Sequence, residues 1–283
     1  LAKHEQELRD LDPSKMDFGT ADPMDITVLD QALKILKHLK GQDKGMSEQI
    51  YYDCLLAQFD IEEEDPTVLT RAEKKLVAGS FQYFVKYMFL VEYGFKFQNN
   101  WHHDFLCDTL EDLFLGRLAC PRIIINIPPR YSKTQILIYF VAWTMGHVPD
   151  SEYIMIGYAK MLSEESSFKV RECIQHDRFQ AIFHVPLDNS SKAKDNFSTM
   201  KKGKVYATST GGTLTGKGAG KKRNSWGGCI VLDDPNNTSD AFSEANRNSA
   251  NLWIQNTLLS RRNNRKLTPV SYTHLRAHET GRN

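Results

Sequence analysis

The sequence is poor in the features that place a protein quickly. Its five cysteines are scattered without a C-x-x-C pair. That excludes a zinc framework or a disulfide-stapled scaffold and suits a reducing compartment. No apolar run approaches the roughly 20 residues of a membrane-spanning helix, and no secretory leader opens the chain, so no membrane partner is expected. Neither sign of charge dominates. Lys and Arg number 36 against Asp and Glu 35, a net charge of +1. Any nucleic-acid contact must therefore come from local clusters. A glycine-rich phosphate loop of the form G-x-x-x-x-G-K-[ST] is missing as well. What remains is 283 residues with 41% hydrophobic and 25% charged content. That is the composition of a soluble globular protein with one large domain, or one domain plus a small one.

The rest of the chain is organised around residues 123–134, IIINIPPRYSKT. A short β-branched run suits a buried parallel strand. A tight connection follows, then Lys133-Thr134, then a helix-length apolar segment over residues 135–145. Strand, loop, Lys-Thr and helix is the layout of a phosphate-binding loop. The helix N-terminus offers free N–H groups and the positive end of its dipole to a phosphate. Lys133 at the loop's end can reach the β- and γ-phosphates of ATP, and the Thr134 hydroxyl can ligate Mg²⁺. Aligned on Lys133, the two glycine positions hold Ile127 and Ser132. An ordinary strand–turn–helix with a solvated Lys fits this stretch alone equally well.

A second anchor shifts the balance. Residues 228–235, GCIVLDDP, form an apolar strand ending in two carboxylates. Asp233 at such a strand end can hold Mg²⁺ opposite the Thr. Asp234 beside it can orient and polarise an attacking water. A polar turn after a core strand is the plain alternative, but less common with a Lys-Thr loop upstream.

At this pair of motifs the chain resembles the ATPase domain of the terminase large subunit, the DNA-packaging motor of tailed bacteriophages. The likeness is to the form with PPRYSKT in place of a glycine-rich loop and Asp-Asp-Pro after the acid strand. It extends over residues 69–265 through Trp101-His102, residues 214–220 (LTGKGAG), and the series Ala241, Ser243, Arg247, Trp253, Ser260-Arg261. The family usually carries Glu where Asp234 stands.

The resemblance implies an α/β fold: a P-loop NTPase of the additional-strand type, with a mostly parallel sheet, helices on both faces and an N-terminal helical subdomain. It implies ATP and Mg²⁺ as cofactors, with Ser132, Lys133 and Thr134 at the phosphates and Trp101 or His102 at the base. Thr134 and Asp233 would hold the metal, Asp234 the water, and Arg130 would stabilise γ-phosphate charge from within the loop. Implied partners are double-stranded DNA, a portal protein, a small terminase subunit and further copies in a homo-oligomeric ring, in the host cytoplasm. The resemblance also implies an RNase H-like nuclease domain that nothing here encodes, so truncation is expected. The first residue, Leu1, leaves the native start open. Another nucleic-acid-translocating ATPase of helicase type, or a non-hydrolysing nucleotide-binding scaffold, are the alternatives.

Three parts are expected. Residues 1–68 form an N-terminal helical arm or cap, with helices over 25–39 and 48–59. Residues 69–270 form the ATPase domain. Residues 271–283, SYTHLRAHETGRN, look like a non-native tail and are set apart. Within the domain, Thr70 and Glu73 fit a capping box opening one helix to about Val91. Further helices are expected over 102–115, 161–176 and 243–259, the last burying Ala245, Leu252, Trp253 and Leu259. Strands are expected over 153–158 and 204–208. The loop over 209–223, STGGTLTGKGAGKKR, carries Lys217, Lys221, Lys222 and Arg223 as candidate DNA-backbone contacts; a solvated surface loop has the same composition. Lys192, Lys194, Lys201 and Lys202 make a second, weaker basic cluster.

Overall fold

The computed structural model describes Leu69 and residues 71–193, 196–236 and 243–273. The helices expected over 25–39 and 48–59 lie outside these residues, as does residue 274 onward. The chain divides into two compact units, Leu1–Glu73 and Lys74–Asn283, and nearly all described residues belong to the second.

Among the described residues three helices precede the first strand: α1 (Arg71–Gly79), α2 (Phe81–Tyr93) and α3 (Trp101–Phe114). The single helix expected from Thr70 to Val91 is therefore two. The break falls at Ser80, which is extended at φ −133° and ψ 125° and serves as the N-cap residue of α2. The aromatic stripe of α2 is core, as its spacing suggests: Phe81, Phe84, Val85 and Met88 are buried. Gly94 ends the helix in the left-handed region, donating its N–H to the Leu90 carbonyl.

A seven-stranded sheet follows, in the order β1-β7-β6-β2-β5-β4-β3. Its strands are β1 (Arg122–Ile125), β2 (Glu152–Gly157), β3 (Leu187–Ala193), β4 (Asn196–Thr199), β5 (Lys204–Ser209), β6 (Ile230–Leu232) and β7 (Val270–Thr273). β1, β7, β6, β2 and β5 run parallel, and β4 and β3 add an antiparallel edge. The fold is thus α/β with a mostly parallel mixed sheet. β7 includes Ser271–Thr273, so the strand runs into the segment expected to be a non-native tail.

The central helix α4 (Lys133–His147) is apolar all round and buried from Ile136 to Gly146, as a helix enclosed by other elements must be. Its Trp143 ring packs on Phe81 and Phe114. α5 (Lys160–Gln175) lies against β2, β5 and α4, burying Val170 and Ile174, and α6 (Asp177–Phe183) follows it. Ile154, Ile156, Ile230 and Leu232 form a core cluster with Leu214, Ala219, Ile254 and Leu258.

The segment after the acids departs from expectation. α7 (Glu244–Trp253) buries none of its residues, and Leu252 is 56% exposed. The main anchors are Ile254 and Leu258, on a π-helical turn over Ile254–Leu258, with the expected Trp253 and Leu259 partly buried beside them. The wider turn rotates the apolar face, so extrapolating an α-helical period misplaced it.

Candidate functional site

The site forms at the C-terminal ends of the parallel strands, where open α/β sheets place their ligands. β1 delivers the loop 126–132 to the N-terminus of α4. Two non-glycine residues of this loop occupy the left-handed region, Arg130 at φ 69° and Ser132 at φ 56°. Ser132 stands at the second glycine position of the usual pattern and takes the conformation glycine favours, at a strain cost of roughly 1–3 kcal/mol. Its side chain makes no cap hydrogen bond. The first-turn N–H groups of α4 are thus left for a ligand.

β6 delivers the two acids. Asp233 continues the ladder, its N–H donating to the Ile156 carbonyl at 2.7 Å. Asp234 then turns into the left-handed region at φ 44°, with its carbonyl accepting from Tyr158 N–H at 3.0 Å. Thr210 Oγ1 donates to the Pro235 carbonyl at 2.8 Å, so the start of the loop after β5 latches onto the acid turn.

The side chains converge from distant sequence. Lys133 Nζ lies 2.7 Å from Asp234 Oδ1 and 3.7 Å from Asp233 Oδ1. Thr134 Oγ1 donates to Asp233 Oδ2 at 2.6 Å. The Lys133 side chain is 9% exposed, Asp233 19% and Asp234 51%, so the acids grade from enclosed to open. A cavity of about 250 Å³ adjoins them, lined by Thr134, Ser163, Glu165, Lys169, Asp233 and Asp234 with apolar residues of α4, β2 and β6.

The donors fit a hard cation. A Thr hydroxyl and an Asp carboxylate are oxygen ligands of the kind Mg²⁺ takes, with water and phosphate supplying the rest. Among the described residues no group of three His, Cys, Asp or Glu is placed to hold a metal by itself. Arg130 is exposed on the loop and does not pair with either aspartate; Lys133 fills that role.

Trp101 is 75% exposed in the first turn of α3, whose Asn100 and His103 form a capping box. Its ring meets His102 edge-on at 5.8 Å, and His102 meets Tyr131 at 5.2 Å. A run of rings thus links the base candidates to the phosphate-loop candidate. Tyr131 was not singled out by sequence, because nothing in its own neighbourhood marks it as a ring partner of His102. His103 is buried beneath them, and burial, then the neighbouring His102, lowers its pKa below the ordinary histidine value. Gln135 was missed too. Its Nε2 donates to Glu92 Oε2 at 3.1 Å, and Tyr139 donates to the same oxygen at 2.5 Å.

The candidate DNA contacts lie elsewhere. Lys221 pairs with Glu152 at 2.7 Å. Arg223 makes a two-pronged contact with Asp150 at 2.7 and 3.0 Å. Lys217 sits over the Tyr206 ring at 4.7 Å. Lys222 is exposed. Glu152 opens β2 and Asp150 precedes it, so Lys221 and Arg223 stand at the strand ends opposite the aspartates. Their proximity to Asp233 in sequence is not proximity in space, since β6 separates them. Two of the four candidates therefore serve internal ion pairs rather than presenting free charge.

No protein-family model matches the chain, and no curated protein matches it. Among the described residues no helix is long and apolar enough to cross a membrane.

Proposed function

We propose that this chain is the ATPase domain of a DNA-packaging motor of the terminase large-subunit kind. In this reading it is a P-loop NTPase of the additional-strand type that hydrolyses ATP to drive double-stranded viral DNA into a procapsid. One observation carries the reading. Lys133 and Thr134, at the N-terminus of a core helix, meet Asp233 and Asp234 at a neighbouring strand end about a hundred residues away. The sheet order supports it, because β7 stands between the loop strand β1 and the acid strand β6.

The phosphates of ATP would lie at the α4 N-terminus. Lys133 would leave Asp234 for the β- and γ-phosphates, exchanging one anion for another. Thr134 and Asp233 would hold Mg²⁺, which supplies charge neutralisation between the phosphates. Asp234, whose side chain is half-exposed, would then orient water. Arg130, on the exposed part of the loop, would stabilise charge developing on the γ-phosphate. Double-stranded DNA, portal protein, small subunit and a ring of like copies in the host cytoplasm follow from the resemblance.

Phosphate release from Mg·ATP, with and without duplex DNA, tests the reading. Turnover that requires Mg²⁺ and rises with duplex is expected. Nucleotide binding without turnover would make the chain a nucleotide-binding scaffold. Stimulation by single strands alone would favour a translocase of helicase type.

A further inference from the structure

The parallel strands have a second end, and positive charge collects there. The turn between β4 and β5 carries Lys201 and Lys202, and β5 opens on Lys204; all three are exposed. This turn is seated on the segment before β2. Thr199 Oγ1 donates to the Pro149 carbonyl at 2.5 Å, and Lys204 N–H to the Ser151 carbonyl at 2.9 Å. A Cβ on Gly203 would collide with the Pro149 carbonyl oxygen. The connection before β6 adds exposed Lys222, and that before β7 adds exposed Arg265 and Lys266. These two connections are joined as well. Asn264 Nδ2 donates to the Arg223 carbonyl at 3.2 Å, and Asn263 Nδ2 to the Gly220 carbonyl at 2.8 Å and to Glu152 Oε2 at 3.0 Å. Segments far apart in sequence are thus hydrogen-bonded into one front.

The acids within this front are already neutralised, Glu152 by Lys221 and Asp150 by Arg223. The Arg223 hydrogen bond holds the Asp150 carboxyl below its usual range, so that pair stays charged at neutral pH. The six exposed cations make no ion pair among the described residues.

We propose that this front binds the phosphate backbone of duplex DNA without reading its sequence. The packaging-motor reading contributes only the choice of duplex DNA as the polyanion. A chain with net charge +1 that gathers unpaired cations on one side presents charge complementarity to a polyanion. Most of them are lysines, point charges suited to phosphates rather than forks suited to base edges. The front extends across β7, β6, β2 and β5, about 14 Å at ~4.8 Å per strand. Duplex DNA carries one charge per ~1.7 Å of axis, so several phosphates fall within that width. An acidic protein partner would call for a clustered apolar anchor. Here the exposed apolar side chains are Met200 and Leu267, one in each of two different loops.

The test compares wild type with a Lys201→Gln/Lys222→Gln/Lys266→Gln variant, one substitution in each connection. Binding to two duplexes of unrelated sequence is titrated with salt, with polyglutamate as competitor. The slope of log affinity against log salt should become shallower by roughly 0.9 for each phosphate no longer neutralised, equally for both duplexes. Melting temperature and basal ATP turnover should be unchanged, because these side chains touch neither the core nor the site. Superimposable titrations would overturn the proposal, as would competition by polyglutamate as strong as by DNA. Turnover on the same samples separates the two readings. An altered slope without any turnover keeps the front and discards the motor; unaltered slopes with normal turnover do the reverse.

Discussion

Lys133 is held by two carboxylates, Asp234 at 2.7 Å and Asp233 at 3.7 Å. In the proposed activity a bound phosphate would compete with them for the ammonium. The two acids also differ in exposure and partners, since Asp233 is engaged by Thr134 and Asp234 faces outward. Asp234→Asn should therefore bind Mg·ATP at least as tightly as wild type, because the nearer of the two charges that compete for Lys133 is gone. Its turnover should fall ~10²–10⁴-fold with removal of the water-orienting group. Asp233→Asn should instead weaken Mg²⁺-dependent nucleotide binding. Calorimetry paired with phosphate release distinguishes the variants, and identical behaviour would remove the division of labour. Arg130→Ala should lower kcat by up to ~10³ with little change in KM, as expected of a group acting on transition-state charge. A raised KM with unchanged kcat would make Arg130 a ground-state ligand.

Most elements legible in the sequence are those whose burial is complete; β1, expected to be a buried strand, instead lies at the end of the strand order with Ile124 67% exposed. β2, β6 and α4 read as apolar runs of strand or helix length because neighbours enclose them. The polar edge pair β3–β4 had no such signature, since LDNSSKA becomes a strand through its pairing rather than its own pattern. The same reason hid β7, whose place between β1 and β6 is set by its neighbours. At the site, Lys133, Thr134, Asp233 and Asp234 were legible by residue type and spacing. The internal engagement of Lys221 and Arg223 was not, because Asp150 and Glu152 lie far upstream. The connection between that basic segment and β6 is tight. Gly228 sits at φ 112°, and a Cβ there would collide with the Glu152 carbonyl oxygen. Gly211 sits at φ 79° with nothing nearby. Gly228→Ala should cost several kcal/mol, as strain and collision add, whereas Gly211→Ala should cost about 1–2 kcal/mol from conformation alone. Urea denaturation measures both; equal costs would show that backbone relaxation relieves the collision.

At the scale of the whole molecule, two histidines tie stability to pH, His103 in the interior and His147 at the exposed end of α4. Burial lowers the pKa of His103 and of His147, the latter bonded through Nε2 to the Ala78 carbonyl at 2.8 Å. Both are favoured neutral in the fold, while the unfolded chain takes up protons near pH 6.5. Below that pH the unfolded state binds more protons, so stability falls as pH drops from about 6.5 and is unaffected above it. The melting temperature should be lower at pH 5.5 than at pH 7.5, and His103→Gln/His147→Gln should narrow the gap; an equal gap in the variant would place the titration elsewhere. The same body of structure keeps the loop, the central helix and the acid strand in register, and the proposed activity rests on their meeting at a nucleotide. Calorimetric titration of Mg·ATP into wild type and Lys133→Ala tests this most directly, with melting curves to show that both are folded. Wild type is expected to bind, and the variant to lose measurable affinity because no other loop residue supplies an ammonium at the phosphates. Equal affinity in the two folded proteins would contradict the assignment of this loop as the phosphate site.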